Sequence, residues 1–324
     1  MKEITSYEHL DKLVRGFTVS RIILTAVYID IFTKIGDEKI ASKELADENN
    51  WDLRGTTILL DALCAIGLLR KNKGLYSNTK FSNTNLRRDK KSFKGWGILH
   101  RNSIWLGWSN LTEIVTKRPF ARPSNTQNKE FNQYFINAMH QFHFEEGFEM
   151  ADLLEIKKVN KMIDLAGGAA SYSIAFAKKN PKLTSVIADL PNTLSVAKEK
   201  IAEHKLEDRI TLKECDLYSG DSDLGGGYDL ALISHLFHAA SEEQNIALLK
   251  KVYPILNKGG RVVVNEFYID DTKTKPLDGA IFSVNMLVQT DGGNTYPQSQ
   301  IKKWLTEAGF KPKSITNSIT VGLK

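Results

Sequence analysis

Small residues dominate the segment Asp164-Leu165-Ala166-Gly167-Gly168-Ala169-Ala170-Ser171, which follows the β-rich run KMIDLA and precedes the helical pattern SYSIAFAKKN. Such side chains let a backbone turn sharply and approach a ligand closely, and the first N–H groups of the following helix are free to meet it. A second strand-like run, TSVIADL, brings Asp189 to its end. A carboxylate there can accept hydrogen bonds from both hydroxyls of a ribose. A third run, RITLKECDL, ends near Asp216, whose side chain and the following Leu217 are placed to border an adenine ring. A small-residue turn, an acid and a second acid at three successive strand ends outline an adenosine site.

A nicotinamide dinucleotide would satisfy the first two features. Its fingerprint G-x-G-x-x-G, however, reads Ala166-x-Gly168-x-x-Ser171 here. Asp164 before the turn and Asp216 after the third strand favour an adenosine ligand without a pyrophosphate, S-adenosylmethionine. The elements that must position these residues alternate strand and helix from Lys161 onward, through YDLALISHLF, a helix after Ser241 and GRVVVNEFYI. That order predicts an α/β, Rossmann-like domain with a parallel sheet and helices on both faces. Ser241 and Gln244 form a capping box at one helix start, and Lys258-Gly259-Gly260 is expected to close that helix.

The first part of the chain has a different texture. One long helix is expected from Leu10 to about Ile35, followed by KELADEN, a helix from Thr56 to Leu69 ending near Gly67, and two short strands around Lys73-Gly74. Helices followed by a hairpin describe a winged helix, which serves either DNA reading or dimerisation. The sequence TTILLDALCAIGLL lacks the arginines, asparagines and glutamines that meet base edges, so a dimer contact is the better reading and a transcriptional regulator the distant one. The expected organisation is a winged-helix dimerisation domain over 1–90, a helical linker over 91–158 and the Rossmann-like domain over 159–324. The linker is rich in aromatics and methionines, as an apolar substrate pocket requires.

Composition narrows the class further. A chain of 324 residues with 42% apolar content exceeds one ordinary core. The two cysteines, Cys64 and Cys215, cannot form a disulfide framework or a zinc cluster. No apolar run of about eighteen residues is present, so the expectation is a cytoplasmic protein without a membrane partner. The net charge of +6 owes much to Arg87, Arg88, Lys90, Lys91, Lys94 and Arg101, read as a solvated surface and not as a nucleic-acid site.

From residue 1 to about 320 the chain resembles the S-adenosylmethionine-dependent O-methyltransferases with an N-terminal winged-helix dimerisation domain, in the bacterial branch of the caffeic acid and acetylserotonin methyltransferase group. The blocks that carry the likeness include RGFTVSRIILTAVYIDIFTKIG, TTILLDALCAIGLLRK, DLAGGAASYSIAFAKKNP, ADLPNTL, GGGYDLALISHLFHAASEEQ, LNKGGRVVVNEFYIDD and NMLVQTDGGNTYPQSQIKKWLTEAGF. The resemblance implies a class I methyltransferase domain, a homodimer, a small-molecule acceptor and S-adenosylhomocysteine as product. It places Asp164, Ala166, Gly167 and Gly168 at the methionine moiety, Asp189 and Leu190 at the ribose, Asp216 and Leu217 at the adenine, and Ser234 and His235 beside the cofactor.

His238 falls where the family carries its general base, with Glu266 as the acid that orients it; His235 is a rival base. A phenol of pKa about 10 is a poor nucleophile until such a base takes its proton, and no metal is required. Phe135, Met139, Phe142, Met286 and Thr290 are implied to face the acceptor. The expected reaction is O-methylation of a hydroxylated aromatic or polycyclic molecule, with carbon methylation or a reaction without methyl transfer as the alternative. Four positions depart from the family: Ala170 stands for a glycine and is expected to crowd or shift the cofactor, Ala239-Ala240 stand for Asp-Trp, and Thr295 stands for a second acid.

Overall fold

Asp30, in the left-handed region at φ 61°, breaks the long helix expected near the N-terminus into α1 (Tyr7–Tyr28) and α2 (Ile31–Ile35). The computed structural model describes residues 3–117, 129–219 and 223–324. The chain divides into two units, Met1–Trp105 and Leu106–Lys324.

In the first unit, β1 (Ile40–Ala41), α3 (Ser42–Asn49) and α4 (Leu53–Ile66) precede a hairpin of β2 (Leu69–Asn72) and β3 (Leu75–Asn78). Asp52 caps α4 by accepting the Gly55 N–H at 2.6 Å, and Gly67 ends it in the left-handed region. Lys73 and Gly74 both have positive φ, as a two-residue hairpin turn requires. The three strands pair in the order β1-β3-β2, giving the expected helices and wing. Two more helices follow, α5 (Lys80–Asn85) and α6 (Trp96–Ser103). Phe32, Leu45, Leu60, Leu63 and Tyr76 are buried, whereas Tyr7, Leu10, Leu13, Val14 and Phe17 of α1 are exposed.

Next comes α7 (Trp105–Ser109), whose first residue is the last of the first unit, and the second unit continues with α8 (Leu111–Thr116) and the long α9 (Lys129–Leu153). Then β4 (Lys161–Leu165), α10 (Ser171–Lys179), β5 (Thr184–Asp189), α11 (Pro191–Glu203) and β6 (Ile210–Glu214) alternate. The chain continues through β7 (Tyr228–Ser234), α12 (Glu242–Ile255), β8 (Leu256–Asn265), α13 (Leu277–Gln289), α14 (Gln298–Glu307), β9 (Lys311–Ser314) and β10 (Ile319–Leu323). Met162, Ile163 and Leu165 in β4 are fully buried despite successive side chains pointing to opposite faces, which is the pattern of a strand covered by helices on both sides. Among the described residues no helix is long and apolar enough to cross a membrane.

The sheet order is β6-β5-β4-β7-β8-β10-β9. The first five strands are parallel, and β10 runs antiparallel to both β8 and β9, a feature the alternating pattern did not announce. After β4 the chain builds outward to one edge and then returns to lay β7 and β8 on the other side. The crevice at the C-terminal ends of β4 and β7 is therefore where a ligand has access. The capping box at Ser241 forms as expected. Lys258-Gly260 does not close α12, however: that helix ends at Ile255 and the three residues lie within β8, beside a register irregularity against β7. A Cβ at Gly260 would sit 2.9 Å from the Asn257 carbonyl and 3.1 Å from that of Tyr228, so close backbone approach explains this glycine.

Candidate active site

The turn after β4 is built from three left-handed residues, Ala166 (φ 57°), Gly168 (φ 58°) and Ala170 (φ 65°). Gly167 lies over the Asp164 carboxylate, where a Cβ would come within 2.8 Å. Beside Gly168, by contrast, a Cβ would meet nothing within 4 Å, so the turn keeps an open face. Asp164 lies beneath the turn, 1% exposed, and accepts the Ser173 hydroxyl at 2.8 Å, so it shapes the loop from below.

Ala170 is fully buried and packs among Ile174, Ile187, Leu194 and Ala197. Its methyl belongs to this core, which counts against its crowding a ligand above the turn. A left-handed alanine costs about 1 kcal/mol, which burial of a methyl offsets by about 0.8 kcal/mol. The substitution for glycine is thus nearly neutral.

Burial pushes the Asp164 carboxyl up to about 7, with the Ser173 hydroxyl opposing and the Asp189 charge adding. Because the folded value lies above the unfolded one, the folded state holds the extra proton between about pH 4 and about pH 7. Stability from this group is greatest below that window and falls as pH rises through it, at a slope approaching about 1.4 kcal/mol per pH unit. Asp164→Asn is expected to gain melting temperature relative to wild type as pH rises across the window. Parallel melting curves for the two proteins would show that Asp164 is not the titrating group.

Asp189 ends β5 at 8% exposure. One carboxylate oxygen accepts the Gly168 N–H at 2.9 Å and the other the Leu190 N–H at 2.7 Å, tying the second strand end to the turn. Burial moves this carboxyl upward against the pull of those N–H groups. Leu190 is half exposed beside it. Asp216 lies two residues past β6, where its carboxylate accepts the Tyr218 N–H at 3.0 Å, and Leu217 is buried.

After β7 the chain makes a single 3-10 turn, Phe237–Ala239, that carries His238. Glu266, one residue past β8 and 4% exposed, spans both parts of this turn. Its Oε1 accepts the Phe237 N–H at 2.6 Å, and its Oε2 lies 2.7 Å from His238 Nδ1. Burial alone would raise the Glu266 carboxyl, but the charge and hydrogen bond of His238 outweigh it and hold the group below its ordinary value. With Nδ1 engaged by the carboxylate, Nε2 is the nitrogen left for a reacting proton. The backbone is fixed as well, since the Asn294 N–H donates to the His238 carbonyl at 2.9 Å. A Cβ at Gly293 would stand 2.2 Å from that carbonyl, so the loop after α13 seats against the turn only with glycine there.

His235 has φ 55° and stacks on His143 of α9, ring centroids 4.3 Å apart. Burial drives its pKa down to about 4. A base that weak does not take a phenol's proton, which counts against it as the rival base. Thr295 is buried and gives its hydroxyl to the Gly279 carbonyl at 3.1 Å, so it takes no part in supporting His238. Of the expected acceptor-facing residues, Phe135 and Phe142 are exposed on α9 and Met139 is half-buried. Met286 is buried, and the Thr290 hydroxyl accepts the Gly293 N–H at 2.9 Å.

Sequence reasoning missed the rings that touch His238. Phe267 and Phe282 stack with centroids 3.7 Å apart, and Phe282 meets the imidazole edge-on at 4.9 Å. It also missed His143 and Glu146, whose i, i+3 spacing on α9 was the available signal. His143 Nδ1 lies 2.9 Å from Glu146 Oε2.

Two groups, His143–Glu146–His235 and His235–His238–Glu266, have donor atoms within 4.8 Å of one another, the donor types of a transition-metal site. The His143 and His235 rings are stacked at 26°, so their planes do not converge on one ion, and both Glu266 oxygens are already hydrogen-bonded. Neither group is a preformed metal centre.

The sequence model of an O-methyltransferase domain matches residues 113–311, and that of an O-methyltransferase dimerisation domain matches residues 11–88. The 3-hydroxy-5-methyl-1-naphthoate 3-O-methyltransferase of Streptomyces sahachiroi is 28% identical over 93% of this chain and 88% of that protein. The S-adenosyl-L-methionine-dependent methyl transferase PigF of a Serratia species is also 28% identical, over 91% of this chain and 88% of its own length. Among solved structures, an O-methyltransferase family protein from Burkholderia thailandensis superimposes with a TM-score of 0.88 at 25% identity, covering 99% of both chains.

Proposed function

The chain belongs to the O-methyltransferase family, and from that premise we propose that it methylates a hydroxyl of an aromatic or polycyclic small molecule, using S-adenosylmethionine, with His238 as general base. The observation that carries this reading is the His238–Glu266 pair at the crevice, 2.7 Å apart and joined through Nδ1. The open face beside Gly168, with the Asp189 carboxylate directly behind it, fits the cofactor. Ala166, Gly167 and Gly168, with Asp164 beneath them, would hold the methionine moiety, Asp189 and Leu190 the ribose, and Asp216 and Leu217 the adenine. Ser234 and His235 would close the remaining side. When bound, the sulfonium supplies an activated methyl group and a neutral leaving group.

His238 takes the acceptor's hydroxyl proton at Nε2, and Glu266 stabilises the resulting imidazolium. Phe267 and Phe282 fix the imidazole laterally, while Phe135, Met139, Phe142, Met286 and Thr290 are assigned to the acceptor. The naphthoate substrate named for the Streptomyces relative supports an aromatic acceptor here. O-methylation is preferred to carbon methylation and to a reaction without methyl transfer because the matching domain is that of O-methyltransferases.

The helix α1, which enters the segment matching the dimerisation model at residue 11, exposes Tyr7, Leu10, Leu13, Val14 and Phe17, and a second copy is the partner that would cover them. Light scattering is expected to give a dimer, and methyl-labelled cofactor is expected to mark the oxygen of at least one member of a phenol and naphthol panel. Label on carbon, or a product carrying no label, would overturn the assigned reaction, and a stable monomer would overturn the assembly.

A further inference from the structure

A polar cluster of Glu146, Tyr172, Ser234, His235 and Asn265 lies beside the turn. Asn265, 2% exposed at the end of β8, has two amide hydrogens. Around its nitrogen lie two hydroxyls, which donate as well as accept, Ser234 Oγ at 3.1 Å and Tyr172 Oη at 3.3 Å, together with Glu146 Oε1 and His235 Nε2 at 3.4 Å. Apart from the Ser234 contact these are long for hydrogen bonds, and for a carboxylate acceptor especially so. Glu146 Oε2 is held by His143, but among the described residues no lysine or arginine pairs with Glu146. A half-buried carboxylate bonded by His143, Asn265 and Tyr172 but by no lysine or arginine keeps lone pairs for a cationic ligand group carrying several N–H donors.

Packing places this cluster at the turn. A Cβ at Gly147 would lie 2.8 Å from the Ala175 Cβ and 3.5 Å from the Ser171 carbonyl, so α9 presses directly on the first turns of α10. Tyr172 is the second residue of that helix, which begins where the Gly168–Ala170 turn ends. Ser234 and Asn265 close the ends of β7 and β8 on the same side. Glu146 thus borders the end of the cradle to which the methionine moiety is assigned.

We propose that Glu146, flanked by His143 and His235, binds the α-ammonium group of the methionine end of S-adenosylmethionine. The proposal rests on the reading of the turn as the cofactor cradle. It makes α9 a selectivity element: the enzyme tests the amino group of its cofactor as well as the adenosine.

Calorimetric titration with three ligands tests it: S-adenosylhomocysteine, its analogue lacking the amino group, and 5′-methylthioadenosine. Wild type is expected to bind S-adenosylhomocysteine about ten- to a hundredfold more tightly than the desamino analogue, as for a charged hydrogen bond. Glu146→Gln is expected to abolish that preference while leaving affinity for the desamino analogue and for 5′-methylthioadenosine within about threefold. Equal weakening toward all three ligands, or an unchanged preference, overturns the proposal while the cofactor reading stands. Failure of wild type to bind any of the three overturns the cofactor reading and the proposal with it. A thermal melt of Glu146→Gln matching wild type assigns the change to the ligand and not to the fold.

Discussion

Replacing His238 with glutamine is expected to lower O-methylation of a phenolic acceptor at neutral pH by about 10²- to 10⁴-fold, the range that positioned general bases contribute. The expected size follows from the acceptor. A phenol of pKa about 10 is ionised in only about one molecule per thousand at pH 7, so an enzyme without a base must wait for that fraction. Glutamine keeps much of the side-chain volume and can still donate to Glu266, which lies 2.7 Å from the imidazole. Phe237 N–H remains bonded to the other Glu266 oxygen, and Asn294 N–H to the His238 carbonyl, so the 3-10 turn keeps its shape. Affinity for S-adenosylhomocysteine is therefore expected to stay within about threefold. The loss should also shrink by about tenfold per pH unit toward pH 10, as the acceptor ionises unaided. Unchanged turnover at neutral pH would remove His238 from the reaction, and a loss independent of pH would make its role positional.

The positions at strand ends were legible because parallel strands covered on both faces must be nearly continuous apolar runs, and a polar residue that stops such a run marks the rim of the sheet. Asp189 was found in this way; His238 and Glu266 were placed by the family resemblance, and the structure brings those two into contact. Residues of α9 were not legible, because a helix has several faces and spacing alone does not say which one meets the crevice. His143 and Glu146 acquire a place only through Gly147, whose missing side chain lets α9 approach α10. The direction of the Ala170 methyl depended on a left-handed backbone that composition does not reveal. The antiparallel β9 and β10 escaped notice because KPKS carries almost no strand signal, and tertiary pairing decides its conformation. Lys258-Gly259-Gly260 read as a helix stop because glycine closes helices often, yet backbone crowding against Asn257 and Tyr228 is what demands a glycine at 260.

Asp189→Ala is expected to weaken S-adenosylhomocysteine binding by about a hundredfold or more, the second large effect. Two ribose hydroxyls donating to one carboxylate are each worth about 1.5–3 kcal/mol, and 1.4 kcal/mol is tenfold in affinity. The same carboxylate also accepts the N–H groups of Gly168 and Leu190, so its removal loosens the turn that approaches the ligand. These two contributions separate by a ligand truncation. The 2′-deoxy form of the ligand lacks one of the hydroxyls; wild type should bind it more weakly than the parent, and Asp189→Ala should bind the two alike. That non-additivity is the signature of a direct contact, since groups that do not interact give additive losses. If the variant loses affinity for both ligands but still discriminates between them, Asp189 acts through the turn alone. If it loses nothing, the ribose lies elsewhere, and the adenosine site outlined by the three strand ends is wrong at its central member.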